Sequence, residues 1–339
     1  MTSRRGKVLV TGGAGYVGSH VCLALAEAGF EPVALDNLRN GHAWAVQWGP
    51  LAVGDVTDPV FLAAQFAQHQ PVAVMHFAAL IEVAESVADP LRFYRNNVVG
   101  TLCLLEAMAA ASCPLLVFSS TCAIFGQPPR VPLDEDLPIA PINPYGQAKA
   151  MAETMILDWQ RVSGGRAARL RYFNVAGADP LSRIGEAHDP ESHLIPLALM
   201  AASGLGGQGP LTVNGSDYPT PDGTAVRDYI HVTDLAAAHV LALEALVTGG
   251  PALALNLGNG AGHSVRQVLD CVEQVTGSAV PHRFGPRRVG DPPILVADSR
   301  RAREQLGWMP ERGSLETQIG DAWAWMQAYA ARGNRDAQP

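Results

Sequence analysis

The chain has 339 residues, with 24 Lys and Arg against 32 Asp and Glu and a formal charge of -8. Acidity spread without long runs argues against a surface built for nucleic acid or anionic membrane, and no apolar stretch approaches a membrane span. The length suits one large α/β domain plus a smaller one.

The first element is a strand that runs from Lys7 through Thr11 into Gly12-Gly-Ala-Gly-Tyr-Val-Gly18, followed by a helical pattern from Val17 to Ala28. Gly12, Gly13 and Gly15 permit a phosphate to approach the backbone where a side chain would block it, and Gly18 lets helix and strand pack closely. The helix N-terminus presents free backbone donors and partial positive charge to a pyrophosphate. A second apolar run, Pro32 to Asp36, ends in an acid eighteen positions beyond Gly18. Asp36 can accept from both hydroxyls of an adenine ribose and would repel a 2'-phosphate, so the expected cofactor is NAD rather than NADP. Arg39, nearby, is the residue that favours the phosphate instead.

Strand-like runs then follow at Pro50 to Val53, Val72 to His76, Leu115 to Ser119 and Ala167 to Tyr172, alternating with helical patterns near Pro59 to Gln68, Leu91 to Ala111 and Pro144 to Val162. Such alternation predicts a Rossmann-type doubly wound parallel sheet with helices on both faces, whose ligands bind beyond the carboxyl ends of the strands. From about Ala176 the texture becomes irregular, with a loop-like tract from Ser203 to Gly223. A helix from Asp234 to Leu246 and a strand from Ala252 to Asn256 read as a return to the main sheet. The helices Ser264 to Thr276, Ser299 to Leu306 and Leu315 to Tyr329 read as part of a second, smaller α/β substrate-binding lobe. The expected division is 1–175 plus about 230–258 for the NAD-binding domain, and about 176–229 plus 259–332 for the substrate lobe, with the substrate in the cleft between them.

Asn143-Pro-Tyr-Gly-Gln-Ala-Lys149 places a phenol and an ammonium four residues apart where a helix begins, stacked on one face. Asn143 suits the cap and Pro144 the first helical position. An ammonium beside a phenol favours phenolate, which makes Tyr145 an expected acid and base near neutral pH, with Lys149 holding its charge.

The five cysteines are odd in number and form no CxxC pair, which suggests neither a disulfide framework nor a zinc site and fits a reducing cytoplasm. The basic opening, Met1 to Lys7, has too short an apolar run for a signal peptide. The ten histidines show no HExxH and no evident ligand cluster, so no metal is expected; His76 and His231 read as structural imidazoles.

The motifs TGGAGYVGSH from Thr11, LDN from Leu35, GDV from Gly54, HFAA from His76, ES from Glu85, YRNNVVGT from Tyr94, SST from Ser119, NPYGQAK from Asn143, RYFN from Arg171, DYPTPDGTAVRDYIHV from Asp217 and PRRVGDPP from Pro286 resemble the extended short-chain dehydrogenase/reductase superfamily, specifically its UDP-glucose 4-epimerases. The resemblance runs essentially end to end. It implies an NAD-dependent exchange of configuration at carbon 4 of a UDP-sugar through a 4-keto intermediate, with Tyr145, Lys149 and Thr121 as catalytic residues. It implies cofactor contacts at Gly12, Gly15 and Gly18, at Tyr16 and Val17 for the pyrophosphate, and at Asp36, Asn37, Leu38, Asn40 and Gly41 around the ribose. Asp55 and Val56 would meet the adenine; Phe77, Ala78, Ala79, Ile81 and Asn96 would run along the dinucleotide; Phe173 would lie near the nicotinamide. Substrate contacts are implied at Asn174, Leu194, Thr212, Val213, Asn214, Arg227, Arg288 and Asp291. The two arginines suit a diphosphate and Asp291 suits ribose hydroxyls. Helices Leu91 to Ala111 and Pro144 to Val162 resemble the pair through which these enzymes form homodimers.

Two departures stand out. Ile81 occupies a position where some epimerases carry a Lys, and Leu295 one where members restricted to non-acetylated sugars carry a bulky aromatic, so an N-acetyl group has room in expectation. Sugar-nucleotide dehydratases share the fold but typically place Asp-Glu after the Thr, where this chain has Cys122 and Ala123. A ketoreductase, a UDP-xylose/UDP-arabinose epimerase and a non-catalytic NAD-binding regulator are the remaining alternatives.

Overall fold

The structure, a computed structural model, describes residues 5–205, 209–288 and 291–336. Residues 1–4 of the basic opening, 206–208 of the expected loop tract and 289–290 of the motif from Pro286 therefore lie outside the described residues.

The chain opens with β1 (Lys7–Thr11), α1 (Tyr16–Glu27), β2 (Glu31–Asp36) and β3 (Leu51–Val53). It continues through α2 (Pro59–His69), β4 (Ala73–His76), α3 (Val83–Ala88), α4 (Pro90–Phe93), α5 (Gly100–Ala110), β5 (Leu115–Thr121), α6 (Pro144–Ser163) and β6 (Arg166–Tyr172). Then come β7 (Asn174–Ala176), α7 (Leu194–Ser203), β8 (Leu211–Asn214), β9 (Val226–His231), α8 (Val232–Val247) and β10 (Leu253–Leu257). The last part holds β11 (Gly262–Ser264), α9 (Val265–Thr276), β12 (His282–Gly285), β13 (Ile294–Leu295), α10 (Arg300–Leu306) and α11 (Leu315–Asp336).

The main sheet has seven strands, all parallel, in the order β10-β6-β5-β4-β1-β2-β3. Both faces are covered because alternate side chains enter different cores. Val8 and Val10 of β1 pack with Val21 and Leu25 of α1 and Leu235 and Leu243 of α8. Leu9 between them joins Leu62 of α2, Leu104 of α5 and Ile156 of α6. The strand order reverses between β1 and β4, which opens a crevice beyond their carboxyl ends. There His76 bridges Thr11 (Nδ1 to Oγ1, 2.6 Å) and Thr101 (Nε2 to Oγ1, 3.1 Å), and burial pushes its imidazole down to about 3. It is the structural histidine its position suggested. His231 is also buried, bonded to Thr233 at its amide and hydroxyl (3.1 and 2.7 Å).

The stretch expected as one helix from Leu91 to Ala111 is three pieces: α4, a π-helical turn over Tyr94–Val99, and α5. Asp89 caps the first through a bond from the Arg92 amide (3.2 Å). The wider turn turns Asn97 toward the segment after β4, where its Oδ1 accepts from the Leu80 amide and its Nδ2 donates to the Leu80 oxygen, both at 2.9 Å. Apolar periodicity carries no mark of such a bulge.

The irregular second half holds short strands that sequence reading passed over. β7, β11 and β13 gather around β9, and β8, inside the expected loop tract, pairs with β12 in parallel. Their partners are remote in sequence, so no hairpin signal announces them. Under these strands Leu211, Val213 and Tyr229 pack with Leu199 of α7, Val268 and Val272 of α9 and Ile319 of α11.

Candidate functional site

α6 begins as its sequence requires. Asn143, in extended backbone, accepts from the Gly146 amide at 2.8 Å, and Pro144 occupies the first turn. This cap places Tyr145, Lys149 and Glu153 on one face of α6, directed at the end of β5.

Three consecutive residues of β5 meet that face. Ser119 accepts at its backbone oxygen from Lys149 Nζ at 2.8 Å, Ser120 Oγ donates to Glu153 at 2.6 Å, and the Thr121 hydroxyl neighbours the Tyr145 phenol and favours its ionised form. Glu153 is buried and paired bidentately with Arg171 of β6, at 2.9 and 2.7 Å. The Lys149 ammonium also lies over the Phe118 ring, 5.0 Å from its centroid.

The sign of one expected shift is corrected. Burial pushes the Tyr145 phenol above its ordinary value, with the neighbouring Tyr172 adding to the rise and the Thr121 bond opposing it. Burial pushes the Lys149 ammonium down to about 7 while Glu153 raises it. Loss of hydration outweighs the attraction between neighbours, so the free site holds a neutral phenol beside a lysine that titrates near neutrality.

The dinucleotide cradle passes a steric test. Gly12 has φ 71°, and a Cβ on it would lie 2.7 Å from the Ala78 nitrogen. A Cβ on Gly18 would lie 2.1 Å from the Gly12 oxygen. No side chain caps α1 at Gly15, which leaves its first amides open to an anion. The buried Asp36 carboxylate accepts from the Ala14 amide at 3.0 Å and the Leu38 amide at 2.9 Å, holding Leu38 at φ 57°. Each of its oxygens keeps acceptor capacity for a ribose hydroxyl. Asn37 donates to Asp55 at 2.9 Å across the ends of β2 and β3, and Gly41 packs against Asp36. Tyr16 donates to the Gly177 oxygen at 2.6 Å. These residues fit NAD.

The other expected contacts divide. Phe77, Ala78 and Ala79 follow β4 at the crevice, with Ile81 exposed and Asn96 bonded to Asn97 at 2.8 Å. Val56 and Val213 turn their side chains into the core, which leaves only their backbone for the expected contacts. Phe173 is buried with Cys122, Phe125 and Ala150, and Leu295 packs on that cluster. Asn174 opens β7, Leu194 opens α7, and exposed Thr212 lies on β8. With its amide oxygen turned toward Arg288, Asn214 accepts from that guanidinium at 3.0 and 3.2 Å. Arg227 donates to Asp291 at 2.5 Å, so two expected substrate groups are paired with each other.

Residues 8–258 match the NAD dependent epimerase/dehydratase family. The chain belongs to this family. It is 52% identical over 318 residues to the UDP-glucose 4-epimerase of Rhizobium leguminosarum bv. trifolii, covering 94% of this chain and 96% of that one. It resembles the crystal structure of UDP-glucose 4-epimerase from Brucella ovis in complex with NAD, with 49% identity, a TM-score of 0.91 and coverage of 94% and 98%. It also resembles the UDP-glucose-4-epimerase from Stenotrophomonas maltophila with bound NAD and formylated UDP-arabinopyranose, with 40% identity, a TM-score of 0.92 and coverage of 97% and 100%.

Against this family background, the groups that sequence reasoning left unassigned are Asn97, Ser119, Ser120, Glu153 and Arg171. A Glu four residues past Lys149 on the same helical face was the available signal. The expectation that the histidines form no ligand cluster also needs correction: Glu186, His188, Glu191 and His193 bring their ligand atoms within 4.8 Å of one another. The signal was the spacing E-x-H-x-x-E-x-H in one loop.

Proposed function

We propose that the protein interconverts UDP-glucose and UDP-galactose by reversible oxidation at carbon 4, with NAD held in the crevice of the parallel sheet. The observation that carries this reading is the meeting of Tyr145, Thr121 and Lys149 at the end of β5, on the same sheet edge as the glycine turn. In it, Gly12, Gly15, Tyr16, Val17 and Gly18 hold the pyrophosphate, Asp36 to Gly41 the ribose, Asp55 and Val56 the adenine, and Phe77 to Ile81, Asn96 and Phe173 the remainder. When bound, NAD supplies the hydride acceptor for carbon 4 and gives the hydride back.

Tyr145 acts as a phenolate: its own proton is first given up to solvent, with the Lys149 ammonium compensating the charge, and Oη then takes the proton of the 4-hydroxyl and later returns it. Thr121 Oγ1 accepts from the Ala123 amide at 3.1 Å, and its single proton, directed at Tyr145 in the free site, turns to the sugar oxygen when substrate is bound. Lys149 spends one of its three N–H groups on Ser119 and keeps the rest for the developing phenolate. Arg227, Arg288, Asp291, Asn214, Thr212, Asn174 and Leu194 grip the UDP so that the hexose alone turns over between the two half-reactions. Elimination of water is disfavoured: burial pushes the Cys122 thiol up to about 12, and Ala123 carries no proton to move.

The proposed division is an NAD-binding domain of 1–175 plus about 230–258 and a UDP-sugar lobe of about 176–229 plus 259–332. Exposed Leu91, Val99, Leu102 and Met151, on α4, the π turn, α5 and α6, support a homodimer closed by these helices. None of the helices among the described residues is long and apolar enough to cross a membrane, and the five cysteines are free and buried, in keeping with a reducing cytoplasm.

The test is to supply purified protein, with no added cofactor, with UDP-galactose, UDP-N-acetylglucosamine and UDP-xylose. Conversion of UDP-galactose to UDP-glucose is expected. Turnover that requires an added, consumed nicotinamide would replace this reading with a ketoreductase. Leu295, aliphatic and packed beside Phe173 and Cys122, favours a second substrate, UDP-N-acetylglucosamine; no turnover of it where UDP-glucose reacts would remove that reading.

A further inference from the structure

The loop between β7 and α7 carries Glu186, His188, Glu191 and His193, whose ligand atoms converge from four separate backbone positions. His193 Nδ1 lies 2.7 Å from Glu186 Oε1 and 3.4 Å from Glu191 Oε1. His188 Nδ1 lies 3.1 and 3.8 Å from the same two oxygens. In a tetrahedral site with bonds of about 2.0–2.1 Å, neighbouring ligand atoms stand about 3.3 Å apart, the middle of this range.

We propose that these four side chains form a binding site for one divalent transition ion of the Zn2+ class. Two imidazole nitrogens with two carboxylate oxygens suit Zn2+, whereas Mg2+ and Ca2+ prefer oxygen alone. Two carboxylates balance a dication, which matters because the glutamate side chains are only 8% and 6% exposed.

The rival reading is a pair of His–Glu ion pairs. Under it each imidazole N–H should point at a carboxylate. His188 Nδ1 does bond Glu186 Oε1 at 3.1 Å, but His193 Nδ1 is buried and makes no aligned hydrogen bond despite its 2.7 Å approach to the same oxygen, so one ion pair leaves the second imidazole unaccounted for.

The surroundings fix the loop from both sides. Trp325 of α11 donates to the Glu186 oxygen at 2.8 Å, and His42, from the segment after β2, bonds the Ala187 oxygen at 2.6 Å. Glu191 Oε1 accepts from the amides of Ser192 and His193 at 2.8 and 2.9 Å, which fixes the orientation of this carboxylate on the loop. The His188 ring meets Tyr16, the first residue of α1, edge-on at 6.4 Å. An ion here braces the entry to α7 against the glycine turn.

The test uses the intact protein, freed of metal by a chelator and titrated with Zn2+ chloride, with uptake read by calorimetry and elemental analysis. One ion per chain is expected, with a raised melting temperature and, on Co2+ substitution, the intense visible bands of a tetrahedral ion. His193→Ala and the near-isosteric Glu191→Gln should weaken uptake by at least about tenfold. Glu191→Gln guards against misfolding, because it should melt as the metal-free wild type does. Absence of stoichiometric uptake, or equal uptake by the wild type and both variants, overturns the proposal.

Discussion

Lys149 donates from Nζ to the backbone oxygen of Ser119 across 2.8 Å, tying the second turn of α6 to the strand that ends in Thr121. The bond holds a cation where burial disfavours one, since the ammonium is pushed down to about 7. Replacement by Met, of similar shape, should therefore leave the melting temperature unchanged or raise it while turnover falls by about a hundredfold or more. Thermal denaturation and steady-state rates on one preparation check both halves.

Glu153 raises the Lys149 ammonium against the effect of burial. Glu153→Gln removes that charge, so the ammonium gives up its proton at lower pH and the alkaline limb of kcat/KM moves toward acid. The same change leaves Arg171 buried without its carboxylate, at a cost of about 3–5 kcal/mol in a denaturant titration. A limb that stays or moves toward higher pH would contradict the assigned coupling.

Gly18→Ala places a methyl carbon 2.1 Å from the Gly12 oxygen. The turn must open, and NAD should no longer accompany the purified protein at one per chain. Absorbance and extraction of bound nucleotide measure this directly.

What the sequence made legible was local. The glycine turn, Asp36 and the Asn143 cap depend on φ values, terminal donors and short spacings, and the structure has each in its expected place. The π turn at Tyr94–Val99 was hidden because an inserted residue leaves the apolar pattern nearly intact. β8 and β13 were hidden because their partners are distant along the chain. The direction of the Tyr145 shift is not legible in sequence for a related reason: spacing shows the ammonium four residues away, whereas burial comes from strands and loops packed around both groups. Arg171 and Glu153 stood in the sequence as ordinary charges until the sheet and α6 enclosed them.

The most direct measurement is the turnover of Tyr145→Phe with UDP-galactose, alongside its NAD content. Removal of the phenol oxygen should reduce turnover by about a hundredfold or more while NAD remains bound and the fold intact. Turnover equal to the wild type would contradict the assignment of Tyr145 as the group that moves the proton of the 4-hydroxyl.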